Sequence, residues 1–100
     1  MIYVSPKERT MILDIIKTHA PDCEVRVFGS RYKGNNRPYS DIDLVFVGNE
    51  ELNVSRIGDI RESFEESNLP YRVDVLDWNA TSEKFREVIN RGYEVIYKPE

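Results

Sequence analysis

Residues 24–47, EVRVFGSRYKGNNRPYSDIDLVFV, hold two apolar runs around a polar stretch, and their reading decides the fold. In the first run Val25 and Val27 alternate with Glu24 and Arg26, which predicts a short strand over Glu24–Phe28. At Gly29-Ser30 the run breaks into a polar stretch that ends at Ser40. Asp41 to Val47 predicts a second strand, polar at its start and apolar through its second half. Side chains two apart leave a strand on one face, so Asp41 and Asp43 stand together while Ile42, Leu44 and Phe46 turn to the core. The stretch from Gly29 to Ser40 is long for a connection in a compact domain, and such loops are often functional.

Outward from this centre, helices and strands alternate. On the N-terminal side Ser5 can cap a helix, Pro6 suits its first position and Glu8 completes a capping box. Met11, Ile12, Ile15, Ile16 and His19 then recur at helical spacing, and Ala20-Pro21-Asp22 ends the helix. On the C-terminal side Gly48-Asn49 closes the second strand. Ile57, Ile60 and Phe64 mark a second helix, capped by Ser55 and stopped before Pro70. Tyr71–Leu76 predicts a third strand carrying Val73 and Val75. A third helix is expected over residues 82–91, with Phe85, Val88 and Ile89 inward and Gly92 as its stop. Tyr93–Tyr97 reads as a short strand or an extended tail. The expected class is α/β (α+β), a small mixed sheet flanked by helices and covered mainly on one face.

A chain of 100 residues fits a single domain, 1–100, with a modest core. The net charge of −4 speaks against direct nucleic-acid binding, which draws most of its affinity from basic side chains on phosphates. No apolar run approaches the ~20 residues that span a bilayer, and the N-terminus lacks the layout of a secretory signal. Cys23 is the only cysteine, so no internal disulfide forms. Those features make a cytoplasmic location the expectation. With one cysteine and one histidine, a zinc cage of Cys and His ligands cannot be assembled. A Ser or Cys hydrolase would need His19 as its base, but that residue falls in the last turn of the first helix, where a cationic group suits the dipole. Chemistry is left to carboxylates.

Asp41 and Asp43 are an unfavourable pair unless something compensates them. Two like charges ~4 Å apart repel by roughly 4 kcal/mol at an effective dielectric near 20, and a divalent cation between them reverses the sign. Hard oxygen donors suit magnesium, which takes one or two carboxylates plus substrate phosphates. A lone Asp-x-Asp is most often a solvated strand edge, so the pair does not stand by itself. Gly29-Ser30 adds a second signal. A glycine at a strand exit lets backbone N–H groups approach a phosphate, and the Ser30 hydroxyl can donate to it. Arg31, Lys33 and Arg37 could neutralise further phosphate charge, although a glycine turn with a basic loop would look the same. Phosphoryl transfer also calls for a third carboxylate. Alternation with Val73 and Val75 puts Asp74 on the opposite face, inside its strand, whereas Asp77 at the strand's end is better placed to cap the following turn.

Gly29-Ser30, ten residues, then Asp41-Ile42-Asp43 and a carboxylate on a later strand resembles the DNA polymerase beta-like nucleotidyltransferase superfamily. More closely, Gly-Ser-Arg-Tyr-Lys-Gly through Ser-Asp-Ile-Asp-Leu resembles the minimal nucleotidyltransferases, the MNT proteins. The resemblance spans nearly the whole chain. It implies that Gly29 and Ser30 hold a nucleoside triphosphate, that Asp41 and Asp43 bind two Mg2+ ions, and that Asp74 completes the metal site and helps deprotonate an acceptor hydroxyl. A nucleoside monophosphate, AMP from ATP, would pass to that hydroxyl with release of pyrophosphate. MNT proteins are paired with small helical HEPN proteins in toxin–antitoxin modules, which implies a hetero-oligomer, an antitoxin role and adenylylation of a tyrosine on the toxin. Tyr32 departs from the pattern, filling a place often held by a small residue, and acidic Glu50-Glu51 precedes the second helix. An alternative from another class is a non-catalytic module that neutralises its partner by contact. A small-molecule nucleotidyltransferase would need a substrate domain for which the chain has no room.

Overall fold

The computed structural model describes residues 4–34, 37 and 40–100. Four strands form one mixed sheet: β1 (Glu24–Phe28), β2 (Ile42–Val47), β3 (Val73–Asp77) and β4 (Glu94–Tyr97), in the order β3-β2-β1-β4. β1 runs antiparallel to both β2 and β4, while β2 and β3 are parallel. The helices are α1 (Pro6–His19), α2 (Ser30–Lys33), α3 (Val54–Glu65) and α4 (Glu83–Asn90), with a 3-10 turn at Trp78–Ala80.

Alternation along the strands divides the apolar residues into two layers. Val25 and Val27 of β1, Ile42, Leu44 and Phe46 of β2 and Val75 of β3 meet Ile12 and Ile16 of α1 and Ile60 and Phe64 of α3 in the main core. Each such side chain contributes roughly 1.5–3 kcal/mol when withdrawn from water. On the other face Phe28, Val45 and Ile89 of α4 form a smaller buried cluster with Leu76, Trp78 and Tyr93 at its margin. α4 covers only part of that face, and the carboxylates of β2 and β3 occupy ground it leaves open.

The helix starts follow capping chemistry. In α1 the Ser5 Oγ accepts from Glu8 N at 3.1 Å and Glu8 Oε1 accepts from Ser5 N at 3.1 Å, the reciprocal box expected from the sequence. α3 is capped two residues earlier than its apolar pattern suggested. Asn53, not Ser55, accepts from Arg56 N at 2.7 Å, because Val54 is helical although 86% exposed and leaves no apolar mark. Ser82 caps α4 as expected, but only Ile89 is fully buried there; Phe85 and Val88 are 39% and 44% exposed. Gly92 does not end α4 in a left-handed conformation, and among glycines only Gly29 and Gly34 have positive φ. A Cβ at Gly92 would lie 2.5 Å from Cε2 of Tyr32, so the absent side chain is what seats that ring. β3 begins two residues later than read and ends at Asp77; β4 is a strand and not a tail. Tyr3 lies outside the described residues. No helix among the described residues is long and apolar enough to cross a membrane.

Candidate active site

The site lies where β1 ends and β2 and β3 begin. In the β1–β2 ladder Phe28 stands opposite Asp43, and in the β2–β3 ladder Asp43 stands opposite Asp74. Because cross-strand partners share a face, the register alone delivers both carboxylates to the face opposite the main core. A slip of one residue would send one of them into the apolar layer. Their side chains therefore stand side by side, close enough for the charge of Asp74 to act on Asp43. Asp41 precedes the first residue of β2, is exposed, and adds its charge to the field at Asp43.

That arrangement pushes the Asp43 carboxyl up to about 6. Burial is the largest cause, followed by the charge of Asp74, the hydrogen bond with it, and the charge of Asp41. Arg72 Nη2 lies 3.8 Å from Asp74 Oδ1 in an exposed pairing. A pair so placed suits a hard cation. Among the described residues no three His, Cys, Asp or Glu side chains form a cage for an ion by themselves. Asp43 and Asp74 are thus brought together as a pair, whereas Asp41 is not gathered with them into such a group.

Gly29 closes over this pair. Its φ of 76° is a conformation that favours glycine, and a Cβ there would collide with Oδ2 of Asp43. Ser30 follows as the first residue of α2, whose turn is closed by Lys33 N donating to Gly29 O at 3.0 Å. Gly29 is thus held directly against the Asp43 carboxylate, with Ser30 next in the chain. A cleft of about 490 Å³ opens from Asp43 and Asp74 along β3, between Phe28 and Phe85 on one side and Arg61 on the other. A second cleft, about 350 Å³, lies beside Gly29 between α2 and the end of α4, with Lys33 and Arg91 among its lining.

One basic residue does not stand where the sequence reading put it. Arg31 is only 3% exposed and turned inward, so it offers nothing to a phosphate. Lys33 and Arg37 are exposed. Conversely, the reading overlooked Arg72 and Arg61. Arg72 could have been found, since it shares the i, i+2 face of Asp74; Arg61 could not, because its contact, Nη2 donating to Val75 O at 3.0 Å, crosses between elements. Asp77 is buried and caps the 3-10 turn by accepting from Asn79 N at 3.1 Å. It also accepts from Leu52 N at 2.7 Å, well away from the carboxylate pair. His19 lies in the last turn of α1 with Nε2 2.8 Å from Ser63 Oγ, a structural pairing.

The sequence matches the family described as Polymerase beta, Nucleotidyltransferase, over residues 11–100. It is similar to a probable protein adenylyltransferase MntA of Haemophilus influenzae, with 42% identity over 97 residues, covering 97% of this chain and 85% of that protein. Its fold is similar to a chain of a toxin–antitoxin crystallised with AMP-PNP, at a TM-score of 0.76 and 18% identity over 92% of this chain and 74% of that one. A tri-AMPylated Shewanella oneidensis HEPN toxin in complex with MNT antitoxin also contains a similar chain, at a TM-score of 0.71 and 18% identity, covering 92% of this chain and 71% of that one. At such identities the structural likeness is one of fold.

Proposed function

The chain belongs to the Polymerase beta nucleotidyltransferase family, and on that footing we propose that it is a magnesium-dependent protein adenylyltransferase acting as an antitoxin. It moves AMP from ATP to a hydroxyl, a tyrosine of a HEPN-type helical partner with which it assembles. The observation that carries this reading is the register that sets Asp43 opposite Asp74, with Gly29 packed on the Asp43 carboxylate. Support for the acceptor and partner comes from the adenylyltransferase to which the chain is 42% identical and from the toxin complexes that share its fold.

In this reading Gly29 and Ser30 hold the triphosphate, and Asp41, Asp43 and Asp74 hold Mg2+, two ions when the site is full. Bound magnesium would neutralise charge on the phosphate oxygens, the main requirement in phosphoryl transfer. Asp74 accepts the proton of the acceptor hydroxyl. The hydroxyl oxygen then forms a bond to the α-phosphorus, the bond from that phosphorus to the bridging oxygen breaks, and pyrophosphate leaves. The cleft along β3 gives an acceptor side chain a route to Asp74.

The test is transfer of label from α-labelled ATP to the co-expressed partner, with Mg2+ and with chelator. Label should reach the partner only with the metal, and not with Asp43→Asn. Full neutralisation of the partner without any transfer would instead establish the contact-only module.

A further inference from the structure

Arg31 carries a full charge into the interior, and the proposed chemistry does not use it. Burying an ion costs several kcal/mol unless partners compensate, and an apolar side chain of similar length would fill the space at least as well. Two of its contacts bear on the site. Nε and Nη2 donate to the carbonyl oxygen of Ser40 at 3.2 and 2.7 Å, and the guanidinium carbon lies 4.1 Å from the centroid of the Tyr71 ring. Ser40 is the residue before Asp41. Tyr71 leads into β3, three residues before Asp74, and its hydroxyl donates to Glu8 Oε1 at 3.1 Å in the α1 capping box. Arg31 itself follows Gly29-Ser30 directly. One side chain therefore joins the three segments whose meeting makes the site.

We propose that Arg31 is a positioning residue. It clamps the backbone at Ser40 and the lead into β3 to α2, and so fixes Asp41 and the starts of β2 and β3 against the Gly-Ser turn. The planar guanidinium suits this task because it can donate in its plane to a carbonyl while its face lies on an aromatic ring. A lysine ammonium can do one of these well, not both. The proposal rests on the reading of the site given above, but it makes a structural claim that can be tested separately.

The experiment compares Arg31→Met and Arg31→Lys in the full chain, measuring thermal stability, kcat and KM for ATP, and amide hydrogen exchange. Met fills the volume without donors, so Arg31→Met should stay folded. Its kcat should fall by about 100-fold, the scale of a misplacement near 1 Å, while KM for ATP changes by less than about threefold, the pattern of a contact needed only in the transition state. Arg31→Lys should recover about tenfold of that loss, the worth of one restored hydrogen bond. Exchange at Asp41 and Ile42 should accelerate about tenfold in Arg31→Met, with β4 amides unchanged. Wild-type kcat with wild-type exchange in Arg31→Met overturns the proposal, as does exchange accelerated equally throughout the sheet. If Arg31→Met does not fold, Arg31→Lys against wild type carries the same comparison. If the wild-type protein itself transfers no nucleotide, the functional reading fails, and the exchange data alone decide the clamp.

Discussion

At the scale of single residues, Asp43 is where function and stability oppose each other. Its carboxyl is raised to about 6 from an ordinary value near 3.8, so between those limits the folded protein binds more protons than the unfolded chain. Stability contributed by this group is fully present below the unfolded pKa and is lost as pH rises through the folded one. At pH 7–8, without metal, the ionised pair destabilises the fold. Asp43→Asn should consequently raise Tm at pH 7–8 and flatten the part of the pH–Tm curve between about 4 and 6 that this group supplies. Nucleotide transfer should collapse at the same time. Adding Mg2+ should raise the Tm of the wild type at pH 7–8 by linkage and leave Asp43→Asn nearly unmoved. A variant that keeps the wild-type metal response would remove Asp43 from the ligand set. This residue was legible in sequence because a two-residue alternation fixes its face. Arg31 was misjudged there for the opposite reason, since composition marks a basic loop but cannot show that one arginine turns inward.

At the scale of elements, what could be read depended on whether a pattern repeats. α1 carries a capping box and a continuous apolar stripe, and its bounds were recoverable to the residue. α3 starts with exposed Val54, so its beginning had to be guessed, and Ser55 was taken where Asn53 serves. The two candidates separate in a simple experiment. Removing a true cap costs about 1 kcal/mol, so Asn53→Ala should lower the unfolding free energy by that amount in urea titration, whereas Ser55→Ala, inside the helix and exposed, should fall within about 0.5 kcal/mol of wild type. An equal loss in both would mean that Ser55 contributes to the cap. α4 lies where it was expected, but two of the three residues read as inward are exposed. Its apolar residues have helical spacing, but an eight-residue helix meets the sheet along a narrow line, which Ile89 fills. Phe85 is left at the edge of the cleft along β3, its ring 6.0 Å from that of Phe28 and at 76° to it. Helical periodicity says which residues share a side, but not how wide the covering neighbour is.

At the scale of the whole molecule, β3 divides the labour between its two ends. Asp74, near its start, faces the site. Asp77, at its end, faces the main core side and binds Leu52 N and Asn79 N. Asn79 Nδ2 in turn donates to Gly48 O at 3.0 Å, so the end of β2, the lead into α3 and the turn after β3 are fastened together there. The two aspartates are three residues apart, roughly 10 Å along a strand, and share no partner in the hydrogen bonds described. Mutations that far apart are expected to act additively. Asp77→Asn loses a charge-assisted acceptor in a buried place, a cost of about 2 kcal/mol, or roughly 8–16 °C in Tm for a domain of this size. Its kcat per folded molecule should nevertheless stay within about twofold of wild type. Asp74→Asn should do the reverse, abolishing transfer while Tm at pH 7–8 holds or rises, because the carboxylate opposite Asp43 has been neutralised. In the double variant the Tm change should equal the sum of the two. Loss of transfer in Asp77→Asn at a temperature where it is fully folded, with Asp74→Asn still active, would mean that the wrong end of β3 has been assigned to the chemistry.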